Sequence, residues 1–186
     1  MSDAAFLTGQ FLLAMPGIGD PRFDRAVIAM CAHDREGAMG IGIGAEIEDL
    51  RLHELLHQFD IDSHGAPDAP ILLGGPVEPG RGFVVHSADW GGQDTIDVAG
   101  RWSLSGTLDV LRAIAAGKGP SRWLVALGYA GWSEGQLDAE LARPGWLSIE
   151  MDPAVMFASA ACDRWACALE SAGVDPRLLS SQSGTA

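Results

Sequence analysis

The segment at residues 123–137 constrains the fold more than any other part of this chain. It opens with an apolar run of five residues, which is typical of a buried strand. Three glycines follow, interleaved with aromatic residues, at positions 128, 131 and 135. Ser133 and Gln136 have the spacing of a capping box, which marks the start of a helix. We therefore predict an inner strand that passes through a glycine-aromatic turn into a helix.

The balance of charge limits the partners that the protein can have. Twelve basic residues stand against 25 acidic ones, which gives a formal net charge of -13 over 186 residues. The basic residues are scattered, without a run or a stripe. Such a surface repels phosphate backbones and anionic lipids, so direct nucleic-acid binding is disfavoured and no membrane association is expected.

Length and apolar content predict one domain with a substantial core, because 47% of the residues are hydrophobic. No apolar run approaches the ~20 residues of a transmembrane helix. The N-terminus lacks the basic start of a signal peptide. The three cysteines have no spacing typical of a disulfide framework, at positions 31, 162 and 167. We therefore expect a cytoplasmic protein.

Strand-like runs come in adjacent groups, with only a few helical patterns between them. Residues 26–32 and 38–44 form a hairpin signature, and the glycines of the second run favour close packing of a helix or a ligand. The incomplete βαβ alternation predicts an α+β fold with a mixed, largely antiparallel sheet surrounded by helices. We expect one domain over residues 1–186, with residues 1–5 and 180–186 frayed.

Several short motifs occur in one order along the chain, from about residue 6 to residue 170. They are Phe11-Leu-Leu-Ala-Met-Pro16, Asp20-Pro-Arg-Phe23, Cys31-Ala-His-Asp34, Glu36-Gly-Ala-Met-Gly40, Gly74-Gly-Pro-Val77, Arg81-Gly-Phe-Val-Val-His-Ser87 and Leu127-Gly-Tyr-Ala-Gly-Trp132 with Gly135-Gln-Leu137. In this arrangement the chain resembles the AlgH/YqgE family of bacterial proteins. The last block is the most specific part of the likeness.

The resemblance implies a bifurcated mixed sheet ringed by helices. It implies no catalytic residues, because the family is largely uncharacterised. One branch is named for a proposed role in transcriptional control of alginate synthesis. One departure concerns Gly44, where the family pattern prefers Asn at the end of a strand. If that amide contributes to a site, this protein lacks it.

A glycine-aromatic cleft is the first candidate site. Glycine lets a backbone come close to a ligand, and a helix start near Ser133 could receive an anion. The alternative is a tight structural turn, because Glu134 already supplies negative charge there. The candidate ligand-binding residues are Gly74, Gly75, Pro76, Gly128, Tyr129, Gly131, Trp132 and Gln136, with the polar groups His33, Asp34 and His86.

Residues 53–57 match the His-Glu-x-x-His motif of zinc hydrolases, with His53 and His57 on one face of a predicted helix. A third ligand is unassigned, and so short a motif often arises by chance. The alternative is a solvated helix face, so we predict no cofactor and no metal.

Cysteine chemistry is a further alternative. Cys31 and His33 lie two residues apart on a predicted strand, so about 7 Å separates them on its face. They are either a reactive thiol beside an imidazole or core residues. Cys162, on a last helix predicted at residues 158–171, is expected in the core.

Two classes of function remain open, and the sequence leaves the oligomeric state open as well. The first is a non-enzymatic cytoplasmic regulator that binds a protein partner or a small ligand, favoured because no complete catalytic constellation is visible. Its effect on transcription would be indirect. The second is a small enzyme or small-molecule binder that uses the glycine-aromatic cleft, with a zinc hydrolase as a lesser form. The second class requires that the cleft residues converge on one pocket, whereas the first does not.

Overall fold

A computed structural model describes residues 6–179, so the predicted fraying of both ends lies outside the described residues. Ten strands lie in this range: β1 Phe11–Ala14, β2 Val27–His33, β3 Gly37–Gly42, β4 Glu46–Arg51, β5 Pro70–Leu73, β6 Val77–His86, β7 Ile96–Val98, β8 Trp102–Ser105, β9 Trp123–Ser133 and β10 Trp146–Ile149. Five α-helices accompany them: α1 Leu52–Gln58, α2 Leu108–Ala115, α3 Gln136–Leu141, α4 Pro153–Ala158 and α5 Ala161–Ser171. The predicted α+β class is confirmed.

The sheet divides at β9. Val125 in its first half pairs with β5 in parallel and with β6 antiparallel, so these two strands lie along opposite edges of β9. The second half pairs with β3 through residues 130–133. On one side the sheet continues from β3 through β2 and β1 to β10, and these four strands form its first arm. On the other side it continues from β6 through β8 to β7, and these three strands together with β5 and β4 form its second arm. The mixed, largely antiparallel sheet is thus forked, as the resemblance implied.

Glycine backbones fill the point where β3 and β5 separate along β9. The amide of Gly74 donates to the Leu127 carbonyl at 2.8 Å, and the Gly74 carbonyl accepts from the amide of Gly42 at 2.7 Å. A Cβ atom on Gly75 would overlap the backbone of β9, and one on Gly128 would overlap the carbonyl oxygen of Gly75. Only glycine lets two backbones come this close.

Apolar side chains alternate between the two faces of the sheet, as the pleat requires. One face carries the largest core, which α4 and α5 cover with Met156, Trp165 and Leu169. The opposite face is covered in two parts. One part packs under α1 and α2, around Ile71, Val84 and Val125. The other packs under α3, around Leu12, Ile28 and Trp132. The fork lies between these two parts.

The predicted turn in the segment 123–137 is wrong, because β9 continues as a strand to Ser133. Gly128 has a positive φ of 75° inside the strand, where the neighbour on one edge changes from β5 to β3. Helix α3 begins only at Gln136 and has no side-chain cap. Half of the predicted capping box is present, since the amide of Ser133 donates to Oε1 of Gln136 at 3.1 Å.

The last predicted helix is interrupted. Ser159 and Ala160 are extended, with ψ of 146° and 151°, so the chain forms α4 and α5 in place of one helix. Helix α5 turns Arg164, Trp165, Ala168 and Leu169 inward. Cys162 lies on its other face and is exposed, so its expected core position is wrong.

Replacement of Gly128 by Ala tests the close approach at the fork. Gly17 is the matched control, because its φ is also positive, at 86°, but nothing lies within 4 Å of the added Cβ. The left-handed backbone alone should cost Gly17→Ala about 1 kcal/mol. Gly128→Ala adds overlap with backbone and should cost at least about 3 kcal/mol. Urea unfolding measures the free energy of unfolding of both variants. An equal decrease in the two variants would contradict the close approach of the backbones at Gly128.

Candidate functional site

An apolar cavity of about 320 Å³ lies in the fork of the sheet. The chain segment that enters β2 forms one wall, the end of β3 the second, and the end of β5 with the following glycine loop the third. Pro79 and Ala130 complete it. The lining residues are Arg22, Phe23, Asp24, Arg25, Ala26, Val27, Ile28, Gly42, Gly44, Ala45, Leu73, Gly74, Gly75, Pro76, Pro79 and Ala130.

Charge in the fork cavity is confined to one wall. Arg22, Asp24 and Arg25 are its only ionisable lining residues, and all three are exposed. Arg22 already pairs with Asp20, with Nη2 and Oδ2 2.7 Å apart. The Arg25 guanidinium lies 5.3 Å from the ring centroid of Trp165. The remaining lining presents apolar side chains and glycine backbone, so the cavity suits a mainly apolar occupant.

The fork cavity brings together only part of the predicted cleft. Gly74, Gly75 and Pro76 line it directly, and Gly128 lies behind them against Gly75. Tyr129 points to the other face of β9, where its ring meets the edge of Phe83 at 5.8 Å between centroids. The side chains alternate along a strand, so a continuous β9 cannot present Tyr129 and its neighbours to the same cavity.

Trp132 and Gln136 take part in a hydrogen-bond network outside the fork cavity. The indole N–H groups of Trp132 and Trp146 both donate to Oε2 of Glu140, each at 3.1 Å. Gln136 donates to the other oxygen of Glu140 at 3.0 Å and accepts from Ser133. This network holds α3 against β9 and β10, outside the lining of the fork cavity. Gly131 lies between the two sites, beside the Tyr129 ring.

His33 and Asp34 lie at the tip of the β2–β3 hairpin. Nδ1 of His33 accepts from the amide of Leu7 at 3.1 Å, and the residue is buried. Oδ1 of Asp34 accepts from the amides of Glu36 and Gly37, which closes the predicted hairpin turn. Nε2 of His33 lies 3.6 Å from Oδ1 of Asp138 on α3, and neither His33 nor Asp34 lines the fork cavity.

His86 belongs to a buried hydrogen-bonded chain. Its Nδ1 lies 2.9 Å from the Ser87 carbonyl, which can only accept, so Nδ1 carries the proton. Nε2 then accepts from the Ser105 hydroxyl at 2.9 Å, and Ser105 accepts from Thr95 at 2.8 Å. Burial lowers the pKa of His86, which keeps the imidazole neutral. The pair resembles a nucleophile and its base, but Ser105 is fully buried.

The remaining chemical candidates are Cys31 and the two histidines of the zinc-hydrolase motif. Burial raises the pKa of the Cys31 thiol to about 12, so a reactive thiolate is disfavoured at neutral pH. Nε2 of His53 lies 2.6 Å from the Ala66 carbonyl, which occupies that nitrogen, whereas His57 is exposed. Within residues 6–179, no group of three potential ligand side chains could hold a metal ion.

Sequence reasoning missed the wall formed by residues 22–28 and the contribution of Pro79. Asp20-Pro21 does indicate a turn before this wall, and the structure has a 3-10 helix there, capped by the Asp20 side chain. Nothing local shows that this turn faces β5, because the contact joins segments about fifty residues apart.

The fold and the fork cavity define an α+β protein with a bifurcated sheet and one apolar recess between its arms. Residues 11–177 match the family described as AlgH-like. The chain therefore belongs to the AlgH-like family, which confirms the resemblance drawn from its motifs.

Relatives match along the whole chain. It is 60% identical over 186 residues to a UPF0301 protein of Rhizorhabdus wittichii, with 100% of both chains covered. It is 54% identical to a UPF0301 protein of Novosphingobium aromaticivorans, also over 100% of both.

Two solved structures have a similar fold. The solution structure of the AlgH protein from Pseudomonas aeruginosa has a TM-score of 0.78 and 39% identity, covering 100% of this chain and 99% of that one. A crystal structure of a Corynebacterium diphtheriae protein has a TM-score of 0.73 at 19% identity, covering 91% and 89%, and shares the fold. Among the helices within residues 6–179, none has both the length and the hydropathy of a membrane span.

The neutral state of His86 predicts a dependence of stability on pH. Folding lowers the pKa of His86 from 6.5. The neutral imidazole therefore makes its full contribution to the free energy of unfolding above about pH 6.5, and this contribution is lost as the pH falls through the folded pKa. Urea unfolding at pH 5 to 8 should show stability decreasing towards acid. In His86→Asn this decrease should shrink over the same range, whereas an unchanged slope would contradict a buried neutral imidazole.

Proposed function

We propose that this protein is a non-enzymatic binding protein whose small, mainly apolar ligand occupies the fork cavity. The observation that carries the proposal is the lining of that cavity. Its volume of about 320 Å³ falls within the range of small-molecule sites. Apart from the exposed Arg22, Asp24 and Arg25 on one wall, the lining consists of apolar side chains and glycine backbone, and it contains no histidine, cysteine, serine or threonine.

Gly44 adds to the apolar character of the cavity. Gly44 lines the wall between β3 and β4, at a position where the family resemblance implies Asn. An amide there would add a donor and an acceptor that a ligand would have to satisfy. With glycine, this chain offers no polar side chain on that wall, which supports an apolar ligand over a hydrogen-bonding one.

The cavity is suited to binding without a large rearrangement. Its walls belong to both arms of the sheet, and both arms are anchored to β9 by backbone hydrogen bonds. A pre-formed site loses less conformational entropy on binding than a flexible one. A ligand in the fork contacts both arms, so its occupancy provides a means of signalling to a protein partner.

We further propose that such signalling serves regulation, as the family resemblance implies. The net charge of -13 favours an indirect route over DNA contact, because an acidic surface repels the phosphate backbone. The catalytic alternative has less support, since the buried His86–Ser105 pair and the His53–His57 pair both lie outside the fork cavity.

Leu73 provides the sharpest test of the ligand proposal. It lines the fork cavity and is 48% exposed, so an Asp there places a charge in the apolar lining without disrupting the core. The matched control is Leu178→Asp, because Leu178 is 81% exposed and lies outside this cavity. The uncharged probe N-phenyl-1-naphthylamine, titrated by fluorescence, should bind the unmodified chain and Leu178→Asp alike.

Leu73→Asp should lower the affinity for the probe at least about tenfold, which corresponds to a loss of about 1.4 kcal/mol of binding free energy. Circular dichroism and urea unfolding should show all three proteins folded. Equal affinity of the two Asp variants, or no binding to the unmodified chain, would contradict the proposal.

A further inference from the structure

A second cavity, of about 340 Å³, lies beside the start of α5 and shares no lining residue with the fork cavity. Its walls come from β5, β9, the α4–α5 connection and the beginning of β4. Two of its lining groups bear on its chemistry: the guanidinium of Arg164 and the first residues of α5, Ala160 and Ala161.

Arg164 is a buried cation without a carboxylate partner. It is 4% exposed, and no acidic oxygen in residues 6–179 lies within ion-pair distance. Nε donates to the Met156 carbonyl at 2.8 Å and Nη1 to the Ile43 carbonyl at 2.7 Å. Nη2 donates to no group in this part of the chain. Burial lowers the pKa of Arg164, which is the response of a desolvated charge.

The N-terminus of α5 adds positive potential to the same cavity. This helix has 11 residues, and its N-cap, Ala160, has no side chain that could accept from the first amides. The first turn of a helix leaves amide N–H groups without intrahelical partners, and the helix dipole favours an anion there. The Ser159 side chain also lines the cavity and can donate a hydroxyl hydrogen.

Two carboxylates moderate this potential. Glu46 lines the cavity but is exposed and stays outside ion-pair distance of Arg164. Asp163 lies in the first turn of α5 and is exposed. Neither carboxylate contacts the guanidinium. The carbonyls of Met156 and Ile43 accept hydrogen bonds from Nε and Nη1 only. Nη2 of Arg164 therefore remains available. The Asp163 amide donates to the Ala160 carbonyl at 3.0 Å, which leaves the amides of Ala161 and Cys162 for a ligand.

We propose that this second cavity binds the anionic group of a small molecule, a phosphate or a carboxylate, between Arg164 and the N-terminus of α5. Arg164 supplies the charge and a hydrogen bond from Nη2, and the amides of Ala161 and Cys162 donate to the same anion. A buried guanidinium and a helix N-terminus are the two donors that proteins use for oxyanions. The fork cavity has no part in this site.

Amide NMR tests the anion site directly. The ¹⁵N-labelled chain is titrated with inorganic phosphate and, separately, with acetate, against sodium chloride of equal ionic strength. The Ala161 and Cys162 amides should shift with a saturable curve in at least one titration. If phosphate binds more strongly than acetate, the ligand carries a phosphoryl group. If acetate binds as strongly as phosphate, the ligand carries a carboxylate. Linear, unsaturated shifts with both anions would overturn the proposal.

Ala160→Asp removes the site without weakening the fold. An Asp at the N-cap accepts from the α5 amides and places its own carboxylate where the anion would lie. We expect an unchanged or higher Tm together with at least a tenfold loss of anion affinity. Arg164→Met should lose affinity too, while Arg112→Met, which removes an exposed arginine on α2, should not. Undiminished binding by Ala160→Asp would overturn the proposal even if Arg164→Met fails to fold.

Discussion

Backbone contact between glycines is the constraint on which the rest of this structure depends. Gly74 and Gly75 lie directly against β9 at Gly128, at a distance that no side chain permits. Because of this contact, β5 can occupy one edge of β9 up to Leu127 and β3 can take the same edge from Ala130 onward. The gap between the diverging strands is the fork cavity. The same glycines thus set the topology and create the recess.

The most specific motif of the family is divided between two structural tasks. Its first glycine, Gly128, belongs to the fork, while Trp132 and Gln136 hold α3 through Glu140. Neither aromatic side chain of the motif lines the fork cavity, and Ala130 is the one residue of the motif that does. The anion site beside α5 draws on other residues altogether. A protein of this size can therefore carry an apolar recess and a cationic one without shared walls.

The sequence predicted those elements that depend on interactions between residues close together in the chain. The β2–β3 hairpin follows from two apolar runs and the Asp34 turn, and the buried strand at residues 123–127 follows from its apolar run. The turn after it was wrong, because pairing with β3 keeps β9 extended through residues that favour a turn in isolation. The wall before β2 was missed because its contact with β5 is nonlocal. Fork topology entered only through the family resemblance.

We infer that β9 joins both arms of the sheet into one cooperative unit. Native-state amide hydrogen exchange in low urea measures this most directly, because it gives the opening free energy of each strand separately. The slowest amides of β2, in one arm, and of β6, in the other, should open with the same free energy as those of β9. An opening free energy for β2 lower by more than about 2 kcal/mol would show that one arm unfolds alone, which contradicts the claim.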